Sequence, residues 1–369
     1  MPQLIAWFLV YGLLLTIYIY CLDGNPRPVV VGPQWGTDNE PQPLADGESI
    51  DKSIPIRIHP NLETAEPWLN ETNRANAAIV IVAPSKEYVN VQKTIVHLEA
   101  QFNNRFQYPY ILLSEQSHDS AFQQNIKRLI GERAQFGSMD MGHRDKSIPV
   151  LVASHFQNST DAEKEYLAEQ TQLSRFKAGI LFHHRLVKDL DYIWLVEPGT
   201  ELICDITYDP FFYMQSRNLK YGWNMAIKKD NSTVHKMMKY SKDFVETYPE
   251  YNIGTSIKVK TASDDSSFCQ FGSEMQFFDV NQFSSVAYWR YFEWLDQRLD
   301  WLTNSGQAAL SQAVRSFVPR NQIYYFNDVG SKSTEATHCP QPKELRKKCS
   351  CEKKEGIELQ KISCAHDWY

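Results

Sequence analysis

The sequence predicts an α/β domain built on a mostly parallel mixed sheet flanked by helices. Two observations predict it. Short continuous apolar runs recur, as expected of strands buried on both faces. Between them lie segments with apolar residues at spacings of three and four, or with a helix-capping signature. The first run is Ala77 to Ala83 (AAIVIVA), ended by Pro84 and Ser85. A helix from about Ser85 follows, because Tyr88, Val91, Ile95, Leu98 and Phe102 fall on one helical face. Tyr110 to Leu113 reads as the second strand, Phe122 to Ile130 as a helix, and Val150 to Ala153 as the third strand. Thr160 and Glu163 form a capping box that opens a long helix reaching about Val187. Tyr192 to Val196 (YIWLV) is the next strand. In open sheets of this kind ligands gather at the carboxyl ends of strands, which singles out Glu197, directly after that strand and held by Pro198. The ordinary alternative is a solvent-facing acid at a strand end.

Composition narrows the function. The chain has 369 residues, 44 acidic against 38 basic, and no Lys/Arg stripe able to track phosphates, so nucleic acid is not an expected partner. Residues 1–3 form a short tail, and the uncharged stretch 4–22 is long enough to cross a bilayer as an anchor; its end in Ile17, Tyr18, Ile19 and Tyr20 lacks the small residues of a cleavage site. Residues 23–73, rich in Pro, Gly and acids, read as a stem, and residues 74–369 as a globular head. Glycosylation acceptors at Asn70, Asn158 and Asn231 place the head in a lumenal compartment. Cys21 belongs to the apolar stretch, which leaves Cys204, Cys269, Cys339, Cys349, Cys351 and Cys364 as an even set suited to disulfides. Cys349 and Cys351 are expected to bond to different partners. Zinc bound by the C-terminal cysteines with His338 and His366 is the competing reading, against which the tight Cys349-Ser350-Cys351 spacing counts.

Many separate blocks of the head, in order, carry a family likeness. They include Leu98 to Glu115 (LEAQFNNRFQYPYILLSE), Arg175-Phe176 with Ala178-Gly179, Val196 to Asp209 (VEPGTELICDITYD) and Phe268 to Phe271 (FCQF). Phe326 to Gly330 (FNDVG), His338-Cys339-Pro340 and the ending from Cys349 to Cys364 continue the series. On these blocks the chain resembles glycosyltransferase family 15, the fungal Golgi α-1,2-mannosyltransferases, over residues 74–369. The resemblance implies a glycosyltransferase A-like nucleotide-sugar fold, GDP-mannose as donor and mannosylated glycans as acceptors. It implies Mn2+ in an active transferase, and a single-pass type II protein of the Golgi membrane that associates with other transferases there.

Moving mannose off GDP requires neutralisation of the diphosphate and stabilisation of an oxocarbenium-like centre. In the family a Glu-Pro-Asp block supplies an acid near the metal, a later Glu faces the reacting carbon, a His ligates the metal and a Tyr-Arg pair lines the donor pocket. Carried onto this sequence, Glu197 keeps the metal-site acid, while Gly199 stands at the Asp. Gln276 stands at the position of the reacting Glu, and Gln270 at the His that follows Cys269. Gln307 stands at an Asp, Ser311 at the metal-binding His, and Gln170 and Thr171 at the Tyr-Arg pair upstream of Arg175. An amide cannot serve as a carboxylate nucleophile or base. Glu274, two residues before Gln276 and about 7 Å from it on an extended strand, could substitute; its ordinary reading is a solvated acid. A metal could also be held by Glu197, water and diphosphate. Three readings follow: a working mannosyltransferase, a catalytically silent relative that needs no metal and binds glycans or a partner, and a transferase using another nucleotide sugar.

Overall fold

The computed structural model describes residues 74–139, 152–154, 156–229, 232–251, 268–298, 301 and 305–368, all within the unit Ile54–Tyr369. Residues 1–73, with Asn70, and Asn231 lie outside the described residues. Among the described residues no helix is long and apolar enough to cross a membrane.

The strands are β1 (Ala77–Val82), β2 (Tyr110–Ser114), β3 (Ala134–Ser138), β4 (Tyr192–Val196), β5 (Glu201–Leu202) and β6 (Tyr221–Trp223). They continue as β7 (Ala226–Lys229), β8 (Phe268–Phe271), β9 (Met275–Asp279), β10 (Ile323–Tyr325), β11 (Ser331–Lys332) and β12 (Thr337–His338). The larger helices are α1 (Tyr88–Leu98), α2 (Ser120–Ile130), α3 (Asp161–Ala178), α4 (Pro210–Ser216), α5 (Ser232–Thr247), α6 (Val286–Asp296) and α7 (Ser305–Phe317). A seven-stranded sheet runs in the order β10-β6-β9-β4-β1-β2-β3, with β9 alone opposed to its neighbours. Two small sheets, β12-β11-β5 and β7-β8, stand beside it. The mostly parallel mixed sheet read from the sequence is therefore the fold.

Period-two alternation builds a core on each face. Ala78, Val80 and Val82 of β1 join Leu173 and Phe176 of α3 and Tyr291 of α6 in one core. Ala77, Ile79 and Ile81 join Val91 and Ile95 of α1 and Ile126 of α2 in the other. The helix expected from Ser85 begins as a 3-10 turn, becomes α1 and runs on through a π turn to Phe106. Of its predicted stripe, Val91, Ile95, Leu98 and Phe102 are buried and Tyr88 is half-buried.

Two expectations are corrected. The third strand is Ala134–Ser138, paired parallel to β2, and residues 152–154 of the segment read as a strand are helical. Gln135 and Ser138 of β3 are exposed because it is the sheet's outer strand, so it lacks the continuous apolar run that marks an internal one. The long helix does open on the Thr160–Glu163 capping box, but ends at Ala178 rather than near Val187. At Gly179 the chain tightens into a 3-10 turn, Ile180–His183, under Phe292 of α6, whose ring lies 2.3 Å from where a Cβ of residue 179 would stand.

All six cysteines of the even set are bonded: Cys204 to Cys349, Cys269 to Cys364, and Cys339 to Cys351. Cys349 and Cys351 take different partners, and the thiols a zinc site would need are used up. The Cys204–Cys349 bridge spans 145 residues and holds the irregular C-terminal block against the chain after β5. Replacing Cys204 and Cys349 by serine is expected to lower stability by about 2–5 kcal/mol, read from the denaturant midpoint. The acceptor Asn158 is exposed.

Candidate functional site

β4 and β9 are antiparallel neighbours, so the carboxyl end of one meets the amino end of the other. This places Glu197 and Glu274 side by side at one edge of the sheet, where the Glu197 N–H donates to the Glu274 carbonyl at 3.1 Å. A cleft of about 380 Å³ opens there, within the range of small-molecule sites. Gln170, Ser174 and Lys177 of α3 form one wall, Gly306 and Gln307 of α7 another, and Ile227 and Lys229 of β7 a third. Ser333, Thr334 and Glu335 of the β11–β12 turn close it from the side. The wall between α3 and α7 depends on Gly306: its N–H donates to Ser174 Oγ at 3.1 Å, and a Cβ would stand 2.4 Å from the Ser174 carbonyl oxygen. Gly306→Ala is expected to cost about 1–3 kcal/mol by forcing the helices apart, measured as a shift of the unfolding midpoint.

Glu197 faces this cleft, not bulk solvent. Its Oε1 accepts from Lys177 Nζ at 2.5 Å, and both side chains are about three-quarters covered. Glu274 is 8% exposed, so the solvated reading fails. Its Oε1 accepts a long hydrogen bond from Ser333 Oγ (3.4 Å), while Oε2 is buried with no partner among the described residues. Burial raises its pKa above the usual carboxylate range, and the charges of Glu335 and Glu197 push the same way. Gly272 gives the carboxyl its room: a Cβ there would lie 2.6 Å from Glu274 Oε2.

Gln276, 1% exposed, does not line the cleft. It forms a reciprocal amide pair with Gln307, Nε2 to Oε1 at 3.0 Å in each direction, and also accepts from the Tyr221 hydroxyl at 2.9 Å. Gln307 is held in turn by donating to the Phe271 carbonyl at 3.0 Å. Ser311 is fully buried; its Oγ donates to the Gln307 carbonyl (2.8 Å) and accepts from the Phe271 N–H (3.1 Å). It thereby pins α7 to β8 and does not line the cleft. Of the donor-pocket positions, Gln170 lines the cleft, whereas Thr171 and Arg175 do not. Arg175 makes a bidentate pair with Asp296, 2.6 Å at each contact, which clamps α3 to α6. Gln270 lines the cleft. Gly199 has φ +86°, a backbone state that disfavours any side chain, although the nearest atom to a Cβ would be Asn90 at 3.8 Å.

Lys177 is the residue that motif reasoning missed. The signal was present: Gln170, Ser174 and Lys177 follow one another at four and three, on one helical face.

Manganese, implied by the family likeness, can be tested against these side chains. It takes carboxylate, carbonyl, phosphate or water oxygens, or imidazole nitrogen, at about 2.0–2.2 Å, and needs anionic side chains to anchor it. Glu197 is engaged by an ammonium group, Ser333 is the hydrogen-bond partner of Glu274, and Ser311 and Gln276 spend their polar atoms inside the protein. Among the described residues no three His, Cys, Asp or Glu side chains converge as a metal site. The donor set present does not fit the ion.

Residues 47–369 match the family described as glycolipid 2-alpha-mannosyltransferase. The glycolipid 2-alpha-mannosyltransferase of Saccharomyces cerevisiae is 25% identical over 327 residues, 85% of this chain and 74% of that protein. The O-glycoside alpha-1,2-mannosyltransferase omh1 of Schizosaccharomyces pombe is 26% identical over 323 residues, 84% of this chain and 82% of its own length. The fold is that of the mannosyltransferase Ktr4p of S. cerevisiae in complex with GDP, with a TM-score of 0.68, 22% identity, and 80% and 81% of the two chains covered. Core-mannan synthase A of Aspergillus fumigatus in its Mn/GDP form gives a TM-score of 0.66 at 22% identity, over 76% of this chain and 79% of that one.

Proposed function

The chain belongs to the glycolipid 2-alpha-mannosyltransferase family, and from that premise we propose that its cleft binds GDP-mannose and transfers the mannose to a glycan hydroxyl. The observation that carries the reading is Glu274, a buried carboxyl with one oxygen unsatisfied, at the sheet edge where the family's nucleotide-sugar chemistry belongs. Charge development explains its use. As the bond from the anomeric carbon to the diphosphate oxygen breaks, the electron pair leaves with that oxygen and positive charge builds on the sugar. A carboxylate beside it is stabilised at that moment and stabilises it in return, and burial of Glu274 limits how far water screens the interaction. The acceptor oxygen forms the new bond to the anomeric carbon, and its proton passes to the departing phosphate oxygen. Glu274 takes the part that Gln276 cannot, since an amide carries no charge to offer. The chain acts as a type II membrane protein, anchored by residues 4–22 in the Golgi with its head in the lumen.

Thermal unfolding with candidate donors tests the donor class. GDP-mannose at 100 times its dissociation constant is expected to stabilise the fold by about 2.7 kcal/mol, more than UDP-sugars at equal concentration. A larger shift with a UDP-sugar would assign a different donor. One observation favours a second reading, binding without turnover: Gln276 and Gln307 form a closed, neutral amide network where the family has acids. Under that reading GDP-mannose stabilises the protein and is not consumed.

A further inference from the structure

Resting on the donor-site reading, we infer that the diphosphate of the donor is neutralised by side-chain cations of this chain, Lys177 first and Lys229 second, in place of a divalent metal. Both lysines line the cleft, one from α3 and one from β7. Lys177 is fixed by its pair with Glu197, and both partners are largely covered. An ammonium group has three N–H donors. Glu197 is the one hydrogen-bond partner of Lys177 Nζ among the described residues, so two donors remain for phosphate oxygens without breaking that pair.

The same pair works against a metal. A divalent cation on the Glu197 carboxylate would have to displace Lys177 or sit against its like charge. The amide of Gln307 offers no compensation, because it is committed to Gln276 and Phe271. One acid that serves a metal in the family here orients a resident cation. The chemistry of the leaving group is still satisfied: the departing diphosphate receives positive charge from lysine, and the glycosidic bond breaks with the same electron movement as before.

The test is a calorimetric titration of the full-length chain in detergent with GDP, once in EDTA and once in MnCl2. The account expects GDP to bind in EDTA, with an affinity changed less than threefold by Mn2+. Lys177→Ala is expected to weaken binding in EDTA tenfold or more, while Lys177→Arg, which keeps the charge, stays within about threefold of the native chain. Lys177→Ala also uncovers Glu197, so GDP binding by that variant becomes responsive to Mn2+. Lys229→Ala, which leaves the Glu197 pair untouched, is expected to lose at least threefold and decides the matter if Lys177→Ala does not fold. Binding that appears only with Mn2+, or lysine variants that bind GDP as the native chain does, would overturn the inference and leave the donor site standing. No GDP binding in either buffer would remove the donor-site reading, and the inference with it.

Discussion

Gln276→Glu is expected to destabilise the fold by about 2–4 kcal/mol at neutral pH, although it restores the acid the family carries at this position. Gln276 is 1% exposed and its amide N–H donates to Gln307 Oε1. A carboxylate has no donor to give. It would turn lone pairs toward the Gln307 oxygen and bury a charge whose only help is the Tyr221 hydroxyl and the Gln307 N–H. The introduced acid should therefore titrate above the usual range. The native state then holds the proton longer than the unfolded chain, so the penalty grows as pH rises from about 4 and fades below it. Denaturant midpoints of the variant and the native protein at pH 7 and pH 4 check this; equal midpoints at pH 7 would mean that the amide network has no such stake. Adding Gly199→Asp and Ser311→His compounds the cost. The first puts a side chain at φ +86°, and the second forces an imidazole into a fully buried hydroxyl site that holds the Phe271 N–H.

Glu274→Gln should separate function from stability. Transfer is expected to fall by a factor on the order of 100–1,000, because the amide fits the same space but offers no charge to the sugar in the transition state. Stability should move the other way. The folded-state pKa of Glu274 is raised by burial and by the charges of Glu335 and Glu197, so between its unfolded and folded values the native state binds more protons than the unfolded chain. Stability is consequently lost as pH rises through that window and stays lost above it. The glutamine variant escapes this loss, is more stable than the native protein at neutral pH, and converges with it toward about pH 4. A structural carboxyl would show the reverse, with the glutamine variant less stable and activity largely unaffected.

Fold and site were legible to different depths. Buried strands announced themselves because both faces of β1, β2 and β4 are apolar, and the capping box fixed the start of α3. The outer strand β3 did not, since solvent on one side permits Gln135 and Ser138 to be exposed. The end of α3 did carry a local mark, Gly179 after Arg175 and Lys177 of the last turn, but the packing of Phe292, over a hundred residues later, into the space a side chain there would need is recorded in no local pattern. In the site, Glu197 was found from its place after a strand. Glu274 was visible as a residue, but its burial comes from Gly272 and the β11–β12 turn, which sequence spacing does not bring together. Arg175 shows the converse. Its position suggested the donor pocket, and the fold spends it on Asp296.

The most direct test of Glu274 as the working carboxyl is single-turnover transfer of labelled mannose from GDP-mannose to a mannoside acceptor, with native chain and Glu274→Gln compared at equal GDP occupancy. The account predicts transfer by the native chain and its loss in the variant, with the nucleotide bound in both. GDP-mannose held intact by the native chain, or transferred equally well by the variant, would contradict it.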